Sequence, residues 1–279
     1  MPYLPLLDDL PRRWLSAAMT TNGTPDTNAA GVRTVGDGDH VVVCIHGWYG
    51  SAQGWGALPE LADTKAFTWL FPDIRGYGAR RGESGAFTME EVAEDTLALA
   101  DRLGADRFSV LGHSMGGKAA AWLQHIAPQR VRALVGVNPV PPAPTPLDEQ
   151  GEALFFGAAD EAGNRRAIID LTTGNRHRDF WLDQMVEYST STSDRDAFAG
   201  YAESWIRGDF HDQLGGPDVP TLVVVGATDP ALSAAVMEQT WLQWYPNAHL
   251  VTLPEAGHYP MYEVPLALLD VVEPFLHEH

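Results

Sequence analysis

Residues 110–117 read Val-Leu-Gly-His-Ser-Met-Gly-Gly, and no other stretch of the 279-residue chain limits its fold so tightly. The pattern Gly112-x-Ser114-x-Gly116 follows a β-rich run, Arg107 to Leu111, and opens an alanine-rich helical stretch, Lys118 to Ala127. A serine between strand and helix with glycine on both sides predicts a turn too tight for side chains at 112 and 116. The turn presents Ser114 at the end of a parallel strand and the start of a helix, where N–H groups and the helix dipole favour negative charge. A serine that only caps a helix is the plainer alternative; the flanking strand and helix favour a nucleophile.

A serine hydroxyl needs a base to remove its proton, and the base works best when a carboxylate orients it. Near the C-terminus, His249 to Leu253 reads as a strand running into Pro254-Glu255-Ala256-Gly257-His258, which sets His258 on a loop beyond a strand end. Upstream, Thr221 to Val225 is a near-continuous apolar run, the composition of a strand buried on both faces. Gly226-Ala227-Thr228-Asp229-Pro230 follows it, so Asp229 leaves that strand. Asp229 alone could be a helix cap before a proline, and a lone loop histidine is usually a surface residue. Together with Ser114 they give the chain order Ser, Asp, His. Asn138, after the strand at 131–137, lacks the charge to act as the acid, and Glu255 is too close in sequence to His258 to approach its ring from the far side.

His40 to Ile45 is another buried-strand run, ending in His46-Gly47-Trp48-Tyr49-Gly50. An acyl-transfer site needs preorganised N–H donors for an oxyanion. Met115, directly after the serine, and Trp48, on this early loop, are the expected donors. His46 is assigned a structural role beneath the loop.

These pieces, with Pro72-Asp73-Ile74-Arg75-Gly76-Tyr77-Gly78, stand in the order of the α/β-hydrolase superfamily, which the chain resembles from about residue 35 to 279 apart from an insert. The resemblance implies a doubly wound, mostly parallel sheet of the eight-stranded type and a serine hydrolase of small esters or lactones that needs no cofactor. Asp73 and Arg75 are expected to brace loops. Relatives with an aspartate nucleophile are disfavoured because position 114 is serine.

The alternation of strands and helices predicts a parallel sheet: helix 55–63, strand 67–71, a helix capped by Thr88 and ending at Leu103-Gly104, strand 107–112, helix 116–127 and strand 131–137. Residues 32–35 and 40–45 are expected to pair as an antiparallel hairpin, and a short helix is expected at 10–18. After Val140 the pattern breaks at prolines 139, 141, 142, 144 and 146. Helical patterns at 147–158, 160–171, 178–187 and 194–206 then fill the chain up to Pro220. Residues 141–218 therefore read as a helical lid inserted into a core made of 1–140 and 219–279. Gly215-Gly216-Pro217 is the expected second joint. Deleting 145–214 is expected to leave the serine activated but exposed.

Phe155, Phe156, Trp181, Tyr188 and Trp205 of the lid, with His113 and Tyr259 of the core, are the candidate substrate-binding residues for an apolar or aromatic group. Net charge is −19 and only Lys65 and Lys118 are lysines, a surface that repels nucleic acid and anionic membranes, and anionic substrates too unless a local arginine offsets the field. Cys44, the only cysteine, excludes an intrachain disulfide. No histidine cluster has metal-ligand spacing, no phosphate loop or dinucleotide fingerprint occurs, and no apolar run approaches the ~20 residues of a spanning helix. The expectation is a cytoplasmic monomer or homodimer that cleaves a small-molecule ester or lactone. Two other readings stay open: a cofactor-free oxygenase or perhydrolase on the same fold, and a non-catalytic receptor for a small hydrophobic ligand.

Overall fold

The computed structural model describes residues 31–214 and 218–279. In chain order the first half contains β1 (Val32–Val35), β2 (His40–Ile45), α1 (Leu58–Leu61), β3 (Phe67–Pro72) and α2 (Met89–Arg102). It continues through β4 (Phe108–His113), α3 (Met115–Ile126) and β5 (Val131–Val137). Four helices follow without a strand: α4 (Glu149–Gly157), α5 (Ala162–Thr172), α6 (Asp179–Thr192) and α7 (Arg195–Arg207). The chain then completes β6 (Thr221–Gly226), α8 (Ala234–Gln239), α9 (Trp241–Trp244), β7 (Ala248–Leu253), α10 (Pro260–Glu263) and α11 (Pro265–Glu278). The expected helix at 10–18 and the joint at 215–217 lie outside the described residues.

Seven strands form one sheet in the order β1-β3-β2-β4-β5-β6-β7, all parallel except β1. This is the α/β architecture expected, with seven strands rather than eight among the described residues. All six residues of β4 and of β6 are buried, as strands covered by helices on both faces must be. The edge strands β1 and β7 mix buried and accessible residues.

The expected hairpin of β1 with β2 does not form. β1 pairs antiparallel with β3, Val32 opposite Pro72, because β2 already has β3 on one side and β4 on the other. Helix α1 is also shorter than the expected 55–63: Pro59 stands in its first turn, and Gly56 before it has φ 56°.

The register aligns the C-terminal ends of the central strands. Ile45 pairs with Gly112, His113 with Val137, Val137 with Val224, and Gly226 with Leu253. The segments carrying Trp48, Ser114, Asn138, Asp229 and His258 therefore leave the sheet along one edge. The winding direction reverses between β2 and β4, and the crevice at such a reversal is where open α/β sheets bind ligands. Lys118, one turn into α3 and fully buried, donates to the carbonyls of Ala143 (2.9 Å), Trp205 (2.9 Å) and Gly208 (2.6 Å). It ties the helix that follows Ser114 to the end of α7.

Candidate active site

Ser114 has φ 54° and ψ −121°, a left-handed backbone that few non-glycine residues adopt. The turn is held open by its own main chain. Ser114 N–H donates to Val137 O (3.0 Å), and Ser114 O accepts from Gly117 N (2.9 Å) and Val140 N (2.9 Å). A Cβ on Gly116 would lie 2.2 Å from the Ile45 carbonyl oxygen, and one on Gly112 would lie 2.3 Å from Gly116 O. Both glycines are therefore required by packing between β2, β4 and α3. Ser114 is 8 % exposed, and its hydroxyl has no hydrogen-bond partner among the described residues.

His258 and Asp229 are joined directly: His258 Nδ1 donates to Asp229 Oδ2 at 2.7 Å. A carboxylate accepting from Nδ1 fixes the tautomer that leaves Nε2 as the proton acceptor of the neutral ring. Asp229 is 1 % exposed. Its Oδ1 accepts the N–H groups of Ala231 (2.9 Å) and Leu232 (3.1 Å), and its Oδ2 also accepts from Asn138 Nδ2 (2.9 Å). Burial pushes its carboxyl up, but the electrostatic pull and hydrogen bond of His258 and the two N–H donors outweigh that and hold it below the usual carboxylate value. Asp229 does not cap α8, whose N-cap is Ser233.

His113 couples the serine turn to the histidine loop. Its Nε2 donates to His258 O at 2.8 Å and its ring lies 5.0 Å from the His258 ring. It is 5 % exposed, and burial with His258 beside it pushes its pKa down to about 3, so the ring stays neutral. His46, also buried, bonds Gly47 O through Nδ1 (2.8 Å) and accepts Ile74 N–H on Nε2 (3.3 Å); burial lowers its pKa as well.

The loop after β2 runs against the serine turn: a Cβ on Gly47 would lie 3.0 Å from Ser114 Cβ. The main-chain N–H groups of Trp48 and Met115 have no acceptor among the described residues. Trp48 itself is fixed by Nε1 to Phe198 O (2.8 Å) and by Tyr77 Oη donating to its carbonyl (2.9 Å). Asp73 accepts Ala52 N (2.7 Å) and Ala79 N (2.9 Å), and Arg75 grips Asp95 through Nε (2.8 Å) and Nη2 (2.9 Å), so both brace the adjoining loops.

The candidate substrate-binding aromatics divide into groups. Phe155 and Trp205 surround the Trp48 ring (6.3 and 5.6 Å), which stacks on Phe198 at 4.1 Å. Trp181 lies 6.1 Å from Tyr259, and Tyr259 lies 5.0 Å from His258 and 5.6 Å from His113. Tyr188 hydrogen-bonds Ser51 on the loop after β2. Phe156 stands apart, under the Arg207 guanidinium at 5.0 Å.

Three polar residues to which the sequence gives no role in the site belong to this region. Asn138, excluded as the acid for want of a charge, hydrogen-bonds Asp229. Arg165, 4 % exposed, lies 3.7 Å over the Phe198 ring. Glu263 binds the main chain beside His258 (2.9 and 3.0 Å); the available signal was an acid one turn beyond Tyr259-Pro260, able to reach back to N-terminal N–H groups as in a capping box. Among the described residues no group of His, Cys, Asp and Glu could hold a metal ion, and no helix is long and apolar enough to cross a membrane.

The chain is 28 % identical over 265 residues to a pimeloyl-[acyl-carrier protein] methyl ester esterase of Klebsiella pneumoniae, covering 85 % of this chain and 94 % of that one. It is 28 % identical over 246 residues to a non-heme chloroperoxidase of Streptomyces lividans, covering 77 % and 87 %. Among solved structures, a hydrolase from Oleispira antarctica superposes with a TM-score of 0.79 at 19 % identity, over 91 % of this chain and 96 % of that one. Residues 40–265 match the family model described as the alpha/beta hydrolase fold, and the chain belongs to that family.

Proposed function

We propose that the protein is an esterase that cleaves a carboxylic ester or lactone of a small, largely apolar or aromatic substrate through an acyl-enzyme. The observation that carries this reading is the 2.7 Å bond from His258 Nδ1 to a buried Asp229, on the sheet edge that presents Ser114 in its strained turn. Ser114 Oγ attacks the carbonyl carbon while His258 Nε2 takes its proton. The tetrahedral oxyanion is held by the N–H groups of Trp48 and Met115. The C–O bond to the leaving alcohol then breaks, and the imidazolium returns the proton to the alkoxide. Water, deprotonated by His258, repeats the sequence on the acyl-enzyme and releases the acid. Asp229 holds the ring and stabilises the imidazolium; it is not itself protonated.

Residues 141–218 act in this reading as the lid, and Phe155, Trp205, Trp181 and Tyr259 shape the apolar side of the cleft. The curated relatives named as methyl ester esterases support an ester substrate. The test is turnover of p-nitrophenyl esters and lactones by the wild type and by Ser114→Ala, which should lose ~10⁴-fold or more. Near wild-type turnover by Ser114→Ala would remove the mechanism.

The relative named a non-heme chloroperoxidase favours a second activity of the same site, peracid formation from a carboxylic acid and hydrogen peroxide. There Ser114 takes the acyl group from the acid with loss of water, and hydrogen peroxide then replaces water as the nucleophile on the acyl-enzyme, releasing the peracid and free Ser114. Halogenation that depends on acetate and peroxide would detect it.

A further inference from the structure

Glu263 sits between His258 and the four-helix segment, with a side chain only 3 % exposed. Its Oε1 accepts the N–H of Tyr259 at 3.0 Å and its Oε2 accepts the N–H of Gly257 at 2.9 Å, one residue on each side of His258. The same Oε2 is bound by the Arg176 guanidinium and by His177 Nε2 (3.1 Å), both in the turn between α5 and α6. Arg176 also donates to Thr173 O (2.9 Å) and Glu255 O (3.4 Å). The remaining N–H, that of His258, donates to Thr172 O at the end of α5 (3.1 Å).

The three consecutive N–H groups at 257, 258 and 259 thus end on Glu263 or on the helical segment, and none ends on the sheet. The core contributes the His113 bond to His258 O and the Asp229 bond to the ring. A buried carboxylate needs a cation and full hydrogen bonding, so removing Arg176 takes the guanidinium from Glu263 and leaves it only His177 and the two N–H groups of the loop. Displacement of a reacting group by about 1 Å can cost ~10²-fold in rate.

We propose that Glu263, locked by Arg176 and His177, is a positioning residue for His258, and that the α5–α6 turn is part of the mount of the catalytic base. This rests on the reading of His258 as the base. The helical segment then has a role in the chemistry itself, in addition to shaping substrate choice. A chain lacking 145–214 would lose Thr172, Arg176 and His177 together, so the serine would not stay activated as the sequence suggests.

The experiment compares Glu263→Gln, Arg176→Met and Arg176→Lys with the full-length wild type, at a temperature well below each melting point. Steady-state kcat and KM are measured on p-nitrophenyl acetate, together with the rate of covalent labelling by a fluorophosphonate. Expected are falls of about 10- to 100-fold in kcat and in labelling rate for Glu263→Gln and Arg176→Met, with KM within about threefold of wild type. Arg176→Lys should recover most of the loss. The double variant Glu263→Gln/Arg176→Met should be little slower than the worse single, because the two act as one unit. Wild-type labelling rates in folded Glu263→Gln or Arg176→Met, or a change in KM alone, would overturn the proposal. Should Glu263→Gln fail to fold, the variants of Arg176, whose side chain is 32 % exposed, decide it. His258→Ala separates the two readings: undiminished labelling there removes the base assignment, whereas labelling lost in His258→Ala but normal in the Arg176 variants removes only the mount.

Discussion

Asp229 Oδ2 accepts two side-chain hydrogen bonds at once, from His258 Nδ1 at 2.7 Å and from Asn138 Nδ2 at 2.9 Å. Asn138 is itself pinned, with φ 42°, its N–H on Val224 O (2.7 Å) and its Oδ1 accepting Gly226 N (3.3 Å). A neutral donor therefore orients the Asp229 carboxylate from the neighbouring strand end without replacing its bond to His258. Asp229→Asn should cut turnover by ~10⁴-fold, because it offers the wrong partner to Nδ1–H. Asn138→Ala should leave turnover within about tenfold and cost ~1.5–3 kcal/mol of stability, the worth of a buried bond to a charged group. Steady-state kinetics and urea denaturation of both variants check this, and equal losses of turnover would mean that the acid is misassigned.

Mild acid should destabilise the fold through its buried histidines. His113 is pushed down to about 3 by burial and by His258, and His40, bonded to Ser109 Oγ at 2.7 Å, to about 4 by burial and Arg132. An unfolded histidine titrates near 6.5, so between these values the unfolded chain binds more protons and stability falls as pH drops. For His113 the loss at pH 5 is ~2 kcal/mol relative to neutral pH. Urea denaturation at pH 7 and pH 5 measures it, and His113→Gln should show a shallower pH dependence than wild type. An identical slope in the variant would contradict this account.

Lys118 should be irreplaceable for stability. Its ammonium serves three carbonyls at the junction of α3, the segment after β5 and the end of α7, while burial pushes its pKa down to about 8. Lys118→Met fills the volume but leaves those carbonyls without a donor, a cost of ~2–4 kcal/mol. The midpoint of chemical denaturation should fall accordingly, and an unchanged midpoint would show that water replaces the ammonium without loss.

Aromatic substitutions should redistribute specificity. Trp205→Ala opens the wall behind Trp48, and Trp181→Ala the side next to Tyr259. Each should change the ratio of kcat/KM between small and bulky esters by ~1–3 kcal/mol while leaving fluorophosphonate labelling of Ser114 nearly intact. Equal losses on every ester would refute a role in specificity.

The strand-terminal residues were legible because each is announced by a local signal. Gly112 and Gly116 mark the turn around Ser114, and Thr221 to Val225 is apolar enough to be a buried strand that delivers Asp229. Helices α4 to α7 were legible from their periodicity for the same reason. Pairing was not: β1 lies four residues before β2, yet joins β3 beyond it, since local pattern carries no information about which strand occupies the middle of a sheet. Nor were Glu263, Arg165 and Lys118, whose roles depend on partners far away in sequence. Glu263 meets Arg176 across 87 positions and Lys118 meets Trp205 across 87, so nothing near either residue signals the contact.

Turnover through a covalent acyl intermediate on Ser114 is open to mass spectrometry of the enzyme quenched during the reaction. With a p-nitrophenyl ester whose acyl-enzyme hydrolyses slowly, a burst of p-nitrophenol and an acyl mass increment on the peptide containing Ser114 are expected. Both should vanish in Ser114→Ala. Full turnover with no adduct at Ser114, or an adduct and burst that persist in Ser114→Ala, would contradict it.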